Sequence, residues 1–376
     1  MTTGLPTLSC VTEFIVDCLH KTAPTQESGY PLIRTPNVGK GRFNLEGVYR
    51  ISQETYDKWT ARAVPQKNDL IMAREAPAGN VAIIKSDEPH CLGQRTVHIR
   101  PNPELIDPDF LTYFLLAPRQ QAALLKNQIG VHVGHVNMKD IRKLPLADLP
   151  PIKEQRKRAG IISSYDDLIE NNKRRIELLE ESARQLYKEW FVRFCFPGHE
   201  HVKIVDGVPE GWCKNRLGDV LTLNYGKALK ADNRVSGEFP VYGSSGIVGS
   251  HNKALVKGAS IVVGRKGNVG SVFWSHLDFH PIDTVYFVTP EQSSYFIYYA
   301  LLHTAFINTD VAVPGLNRDL AYSREIIIPP EILRAEFEDA VTPIFEQTNV
   351  LEKLNIQLSH ARDLLLPKLM SGEIAV

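Results

Sequence analysis

Residues 161–191, IISSYDDLIENNKRRIELLEESARQLYKEWF, constrain this chain more than any other stretch. Stepping by three and four from Ile162 reaches Tyr165, Ile169, Asn172, Ile176, Leu179, Ala183, Leu186 and Trp190, an almost unbroken apolar seam with the heptad period of a coiled coil. Asp166, Asp167, Glu170, Lys173, Arg174, Arg175, Glu177, Glu180, Glu181, Arg184, Lys188 and Glu189 lie between, so the remaining faces are predicted to be solvated. A long helix with one narrow apolar stripe needs a partner helix. Asn172, inside the seam, reads either as a register-setting polar pair or as a simply exposed position.

The C-terminal region offers that partner. Phe337, Ile344, Leu351, Leu358 and Leu365 supply one seam position, and Ala340, Gln347, Leu354 and Ala361 the other. Both runs follow a double proline, Pro150-Pro151 and Pro329-Pro330, and both carry an Ala-Arg pair, Ala183-Arg184 and Ala361-Arg362. The separations, 329 − 150 = 179 and 361 − 183 = 178, hold the register to one residue. Pro343 predicts a kink or restart with Thr342 as cap.

The stretches before each helix repeat one another. Tyr30-Pro31-Leu32 is matched by Phe239-Pro240-Val241, and Asp69–Arg74 by Ser260–Arg265; Gly79 follows Arg74 as Gly270 follows Arg265, both at an offset of 265 − 74 = 270 − 79 = 191. Phe110–Tyr113 parallels Phe296–Tyr299, and Asn137 and Asn317 each precede a double proline and are expected to cap the following turn. Short apolar strands with a late helix predict an α/β (α+β) fold in each copy. The expected organisation is a globular domain at 1–148, a long helix at 149–194, a linker at 195–211, a second domain at 212–327 and a second long helix at 328–376. Antiparallel pairing of the helices would give a pseudo-two-fold molecule with two heads held about 60 Å apart by roughly 40 helical residues. Duplex DNA is the long, quasi-two-fold ligand that suits two such heads.

The 376 residues carry 43 basic and 43 acidic side chains, so a DNA-binding surface must be a local patch. Five cysteines without a CxxC pair support neither a zinc knuckle nor a disulfide framework. With no basic-then-apolar N-terminal signal and no run near the roughly 18 apolar residues of a membrane span, a cytoplasmic protein is expected.

LPPIKEQ, the run IENNKRRIELLEESARQLYKEWFVRF with PGHE after it, and LLLPKLMSGEI resemble specificity subunits of type I restriction–modification enzymes, and GEFPVYGSSGIVGSHNKALVKGASIVVGRKGNVGSVFW resembles one of their target-recognition domains. The resemblance implies that each domain reads one half of a split target in double-stranded DNA while the helices set the gap. It further implies two methylation (M) subunits docked on the helices, restriction/translocase (R) subunits joining them, and S-adenosylmethionine, ATP and Mg held by those partners. Cys195 departs from the family pattern, which favours a basic residue there.

Arg265, Lys266 and Asn268 sit among three glycines after a β-rich run. Glycine permits close backbone approach, Arg suits guanine and Asn suits adenine, although a solvated hairpin with a structural arginine fits the same residues. Tyr225, Lys227 and Lys230, with Tyr242, Ser244 and Ser245, offer aromatic, basic and hydroxyl groups in loops, where plain turns are the alternative. Arg34, Asn37, Lys40 and Arg42 are the analogous cluster in the first domain, and Arg74, beside Glu75, reads equally as a DNA contact or an internal ion pair. His132 and His135 lack a third ligand for a metal. Lys153, Arg156, Lys157 and Arg158 read as phosphate contacts or, preferably, as a solvated helix start. No P-loop or dinucleotide turn occurs, and no methylation or nuclease motif is found, so a non-catalytic recognition subunit is preferred over an enzyme or a protein-only scaffold.

Overall fold

In the computed structural model, which describes residues 5–126, 135–306 and 315–376, the chain divides into unit 1, Met1–Asn172 with Leu354–Val376, and unit 2, Lys173–Lys353. Unit 1 runs β1 (Thr12–Asp17), β2 (Tyr30–Ile33), β3 (Tyr49–Ile51), α1 (Gln53–Trp59), β4 (Leu70–Ala73), β5 (Val81–Ile83), β6 (Cys91–Leu92), β7 (Thr96–Pro101), α2 (Pro108–Leu116), α3 (Pro118–Leu125) and α4 (Met138–Arg142), and enters α5 (Ile152–Tyr187). One sheet has the order β1-β7-β4-β5 and is antiparallel; the other, β3-β2-β6, pairs β2 with β6 in parallel. The single late helix expected here is two, because Pro118 takes the first position of α3 and leaves Ala117 extended.

Unit 2 contains β8 (Ile204–Val205), β9 (Val208–Pro209), β10 (Cys213–Arg216), α6 (Leu217–Val220), β11 (Asn224–Tyr225), β12 (Phe239–Gly243), β13 (Gly246–His251), β14 (Ser260–Gly264), β15 (Val272–Ser275), β16 (His280–Pro281), β17 (Val285–Phe287), α7 (Tyr295–His303), α8 (Arg318–Tyr322) and β18 (Glu325–Ile328), followed by α9 (Glu331–Ser371). Beside the two-stranded pairs β8-β9 and β10-β18, its larger sheets have the orders β11-β17-β14-β15 and β13-β12-β16, strand for strand those of unit 1, again with one parallel pair. The backbone repeats the equivalence at the offset seen in the sequence. Arg74 N–H donates to Arg95 O and its carbonyl accepts from Val136 N; Arg265 N–H donates to Thr284 O and its carbonyl accepts from Leu316 N. Gly79 N–H bonds Ala73 O as Gly270 N–H bonds Gly264 O, both at 2.9 Å.

The central strands are continuous apolar runs because both faces are covered. Leu70 and Met72 face the core built on α2, while Ile71 and Ala73 face Ile33 and Val38. In unit 2 Ile261 and Val263 enter the α7 core, and Val262 joins Tyr242 and Phe279 on the other side. Period-two alternation thus feeds two cores from one strand.

Within unit 1 the helical segments run antiparallel: Arg158 reaches Leu369 O, Arg362 reaches Asp166, and Asn355 bonds Asn172. Within unit 2 Tyr187 and Trp190 pack on Phe337 near the start of α9, again antiparallel. Burial of Ile162, Ile169, Asn172 and Ala183 follows the predicted seam of α5. Two corrections apply. Asp166, assigned to a solvated face, is buried. On α9 the second seam position is Val341, Thr348, Asn355, Arg362 and Leu369, not Ala340, Gln347, Leu354 and Ala361, one residue earlier in each case. Counting apolar residues alone misplaces it, because three of the five true positions are polar and are accommodated by partners such as Asn172 and Asp166. Nor does Pro343 interrupt α9; it lies on an exposed face, where water can bond the carbonyl that the missing N–H leaves free.

Candidate nucleic-acid interface

Unit 2 gathers several of the candidate residues around one exposed ring. The short β11 pairs Tyr225 with Tyr286 of β17, so the Tyr225 ring lies 5.1 Å from that of Tyr286 while remaining 50% exposed. The Arg265 guanidinium sits 5.0 Å from the Tyr225 centroid, and that of Arg318, the first residue of α8, sits 5.1 Å from it. Cations over an aromatic face are attracted by its quadrupole. Arg265 is held at both backbone ends, and its Nη1 donates to Asp283 O at 2.9 Å. Burial pushes the Tyr286 hydroxyl up, so it remains a donor, to Leu316 O at 3.0 Å.

The turn after Arg265 leaves Lys266 and Asn268 exposed, and Asn268 N–H reaches Ser244 Oγ at 3.4 Å. Gly264 is demanded here, since a Cβ would stand 2.2 Å from Asn268 O. Ser245 is exposed, as are Lys227 and Lys230. The Lys227 loop is stitched down by Lys227 N–H to Pro281 O at 2.9 Å, and Gly226 passes too close to Ile282 O for any side chain. Tyr242 is the exception: its ring is buried against Phe273 and Phe279, so it supports the sheet instead of facing a ligand. Arg318 was not singled out from sequence. Its signal was Asn317, whose side chain accepts from Asp319 N–H at 2.8 Å and so fixes where the α8 turn begins.

Unit 1 uses most of its candidates internally. Asn37 is buried, its Oδ1 accepting from Arg34 N–H and its Nδ2 donating to Asn44 O, each at 3.0 Å. Arg42 donates to Asp167 at 2.8 Å and lies beside Asp166. Arg74, 7% exposed, donates through Nε to Val136 O and through Nη2 to His135. His135 has its pKa lowered by partial burial and by the charges of Arg74 and Arg95, which suits it as the neutral acceptor. Asn37, Arg42 and Arg74 are therefore structural, each with its polar groups engaged inside the fold. Arg34 and Lys40 stay accessible, and Arg34 stacks 3.8 Å over Tyr49, an exposed aromatic that sequence reading passed over. Replacing Arg74 by alanine should cost about 1–3 kcal/mol of stability through the stranded Val136 carbonyl without altering which bases are read; denaturant unfolding and mapping of modified sites check the two halves of that statement.

Of the basic run opening α5, Arg158 is a buried cap, donating to Leu369 O at 3.1 Å near the end of α9. Asn137 occupies the cap position of α4 without bonding a backbone N–H through its side chain. His132 lies outside the described residues. Among the described residues, no group of three or more His, Cys, Asp or Glu side chains could hold a metal ion, and no helix is long and apolar enough to cross a membrane.

The type I restriction modification DNA specificity domain matches residues 17–181 and 209–330, one stretch for each repeat of the fold. The chain belongs to the type I restriction–modification specificity subunits. A specificity subunit of the MjaIX type I restriction enzyme from Methanocaldococcus jannaschii is 26% identical, over 90% of this chain and 86% of the relative. The HindI specificity subunit from Haemophilus influenzae is 24% identical, over 84% and 88%. The crystal structure of the S subunit of a type I system from M. genitalium shares the fold, with a TM-score of 0.54 at 18% identity, covering 98% of this chain and 97% of that one.

In this specificity subunit the two repeats present different chemistry at equivalent positions. Strand register makes Asp17 the counterpart of Tyr225, since they face Val97 and Tyr286, which in turn face Met72 and Val263. Glu75, ion-paired with Arg95, follows Arg74 where Lys266 follows Arg265. Met138 opens α4 where Arg318 opens α8. One scaffold thus carries ion-paired carboxylates in unit 1, Asp17 with Arg62 and Glu75 with Arg95, and a cationic, aromatic station in unit 2.

Proposed function

We propose that this specificity subunit reads a bipartite duplex target, with unit 1 taking one half and unit 2 the other, and that α5 and α9 set the gap between the halves. The supporting observation is the strand-for-strand repetition of the sheets, with exposed or half-buried cationic, polar and aromatic side chains in each copy: Arg34 with Tyr49 and Lys40 in unit 1, and Tyr225, Arg265, Lys266, Asn268, Arg318, Ser245, Lys227 and Lys230 in unit 2. Phosphate contacts from the lysines would position the duplex, and base-edge contacts would specify it.

The helices are also the docking surface for methylation subunits in this reading. Ile161 and Leu168, one heptad apart, with Ile356 and Leu364, are exposed on the helices of unit 1, and Leu178 and Val350 on those of unit 2. Apolar side chains left outside a filled seam suit further helices packing alongside. S-adenosylmethionine, ATP and Mg belong to the partner subunits in this scheme.

Inserting one heptad into each helix at matched positions lengthens the pair by about 10 Å at 1.5 Å per residue. At about 3.4 Å per base step, the gap should widen by roughly three base pairs while both half-sequences stay as they were. Mapping methylated bases in cells carrying the complete system reads this directly. An unchanged gap would remove the ruler from the proposal, and the absence of any split motif in the wild type would remove the bipartite reading itself.

A further inference from the structure

We infer, on the reading of unit 2 as a base-reading domain, that Arg318 and Arg265, both stacked on Tyr225, form a guanine-reading pair in the half of the target taken by that unit. Three observations carry this assignment. First, the guanidiniums are positioned before any ligand arrives. Each lies about 5 Å from the same ring centroid within cation–π range, and Arg318 is also 5.9 Å from the Tyr322 ring. Stacking of this kind fixes the plane of the fork while leaving its N–H edge free.

Second, Arg318 keeps its donors open while Arg265 is anchored by part of its guanidinium. Among the described residues no hydrogen bond or ion pair holds the Arg318 guanidinium, while Arg265 spends Nη1 on the Asp283 carbonyl and also neighbours the Tyr286 hydroxyl. A planar fork with open donors matches O6 and N7 of guanine in the major groove, the pairing that distinguishes a G·C pair from the other three. Lys266 and Asn268, exposed in the turn that follows Arg265, add positive potential and an amide nearby. Tyr225, half exposed and about 5 Å from both cations, can stack on a neighbouring edge.

Third, the arrangement belongs to unit 2 alone. Where unit 2 has Tyr225, Lys266 and Arg318, unit 1 has Asp17, Glu75 and Met138, and its Arg74 is turned inward onto Val136 O. Asp17 is paired with Arg62 and His20, and Glu75 with Arg95, so the equivalent place in unit 1 lacks the two arginines over one aromatic ring. Substitutions in the pair should therefore alter one half of the recognised sequence only.

The test uses the complete enzyme and two independent readouts. Genome-wide mapping of methylated motifs with Arg318→Ala should turn one G·C position of a single half degenerate, with the other half and the gap unchanged. Arg318→Gln should shift that position toward adenine, which Gln reads through N6 and N7. In the second readout the unaltered enzyme methylates duplexes in which each guanine of the motif is replaced in turn by 7-deazaguanine, which lacks the N7 acceptor. A drop of about tenfold or more is expected at one or two guanines, all within one half. A uniform loss of methylation with the motif unchanged would make Arg318 a phosphate contact and overturn the assignment, as would indifference to every 7-deazaguanine in both halves. Either result leaves a split motif in the wild type intact, so it is distinguishable from failure of the bipartite reading.

Discussion

Replacing Asp166 by alanine should destabilise unit 1 by about 3–5 kcal/mol, the usual consequence of removing one member of a buried ionic cluster and stranding the rest. The carboxylate is 2% exposed. Its Oδ1 accepts from Arg362 at 2.6 Å, its Oδ2 accepts from Tyr113 Oη at 2.7 Å, and the Arg42 guanidinium lies 3.9 Å away. Burial opposes the charge on Arg362, yet Asp166 and Asp363 outweigh it and lift its pKa above the ordinary arginine value. Burial likewise pushes the Tyr113 hydroxyl up, so Tyr113 remains a donor. Gly41, in the loop next to Lys40, is pressed so close that a Cβ would stand 2.6 Å from Asp166 Oδ2. The cluster therefore fastens α2 and the Lys40 loop onto the helical segments of unit 1. Asp167, one residue on and largely exposed, pairs with Arg42 at the surface, so Asp167→Ala should cost no more than about 1 kcal/mol. Denaturant unfolding of the two variants, with hydrogen exchange followed in the peptides of α2, separates the cases. Equal stability of the two would show that the cluster is not what fastens the unit.

Unit 2 solves the same problem without a buried ion pair: Glu338 of α9 accepts from Tyr295 N–H at 3.1 Å and Phe296 N–H at 2.7 Å, and aromatic packing does the rest. Tyr299, the counterpart of Tyr113, packs among Tyr187, Phe337 and Phe345. This difference explains what the sequence could and could not reveal. Heptad spacing, double prolines and the Arg74/Arg265 offset exposed the duplication, because the repeat and the seam are written in apolar spacing, which is local. The polar seam positions Asn355 and Arg362 were missed because their partners, Asn172 and Asp166, are almost 200 residues away along the chain and only the fold brings them together. The same limit governed the site. Arg42 and Arg74 look like surface cations until Asp167 and Val136 O are seen beside them. The cluster around Tyr225 depends on a two-residue strand, too short for any periodicity to announce.

Acid should loosen the sheet of unit 1 before that of unit 2, and Asp69 is the residue expected to decide it. Its carboxylate is buried and accepts from Arg100 Nε at 2.8 Å, Arg100 Nη2 at 2.7 Å, His98 Nε2 at 2.6 Å and Gln66 N–H at 2.8 Å. Burial alone would raise its pKa; the hydrogen bonds from Arg100 and His98 outweigh burial and hold it below the ordinary value. A carboxyl depressed in the folded state contributes its full stabilisation above the unfolded pKa, about 3.9, and loses it as the pH falls through the lower folded value. The window therefore lies below about pH 4. At the equivalent place in β14 stands Ser260, which does not titrate. Glu180 and Glu352 of unit 2 have pKa values pushed up, chiefly by desolvation. A raised carboxyl favours folding as it becomes protonated, so these two shift unit 2 the opposite way, weakly because both keep contact with solvent. Hydrogen exchange at stepped pH should show the β4 and β7 peptides losing protection at higher pH than those of β14 and β17. Asp69→Ala should cost unit 1 about 3 kcal/mol at neutral pH and abolish most of that difference in acid sensitivity. Coincident loss of protection in both sheets would place the acid-sensitive group elsewhere.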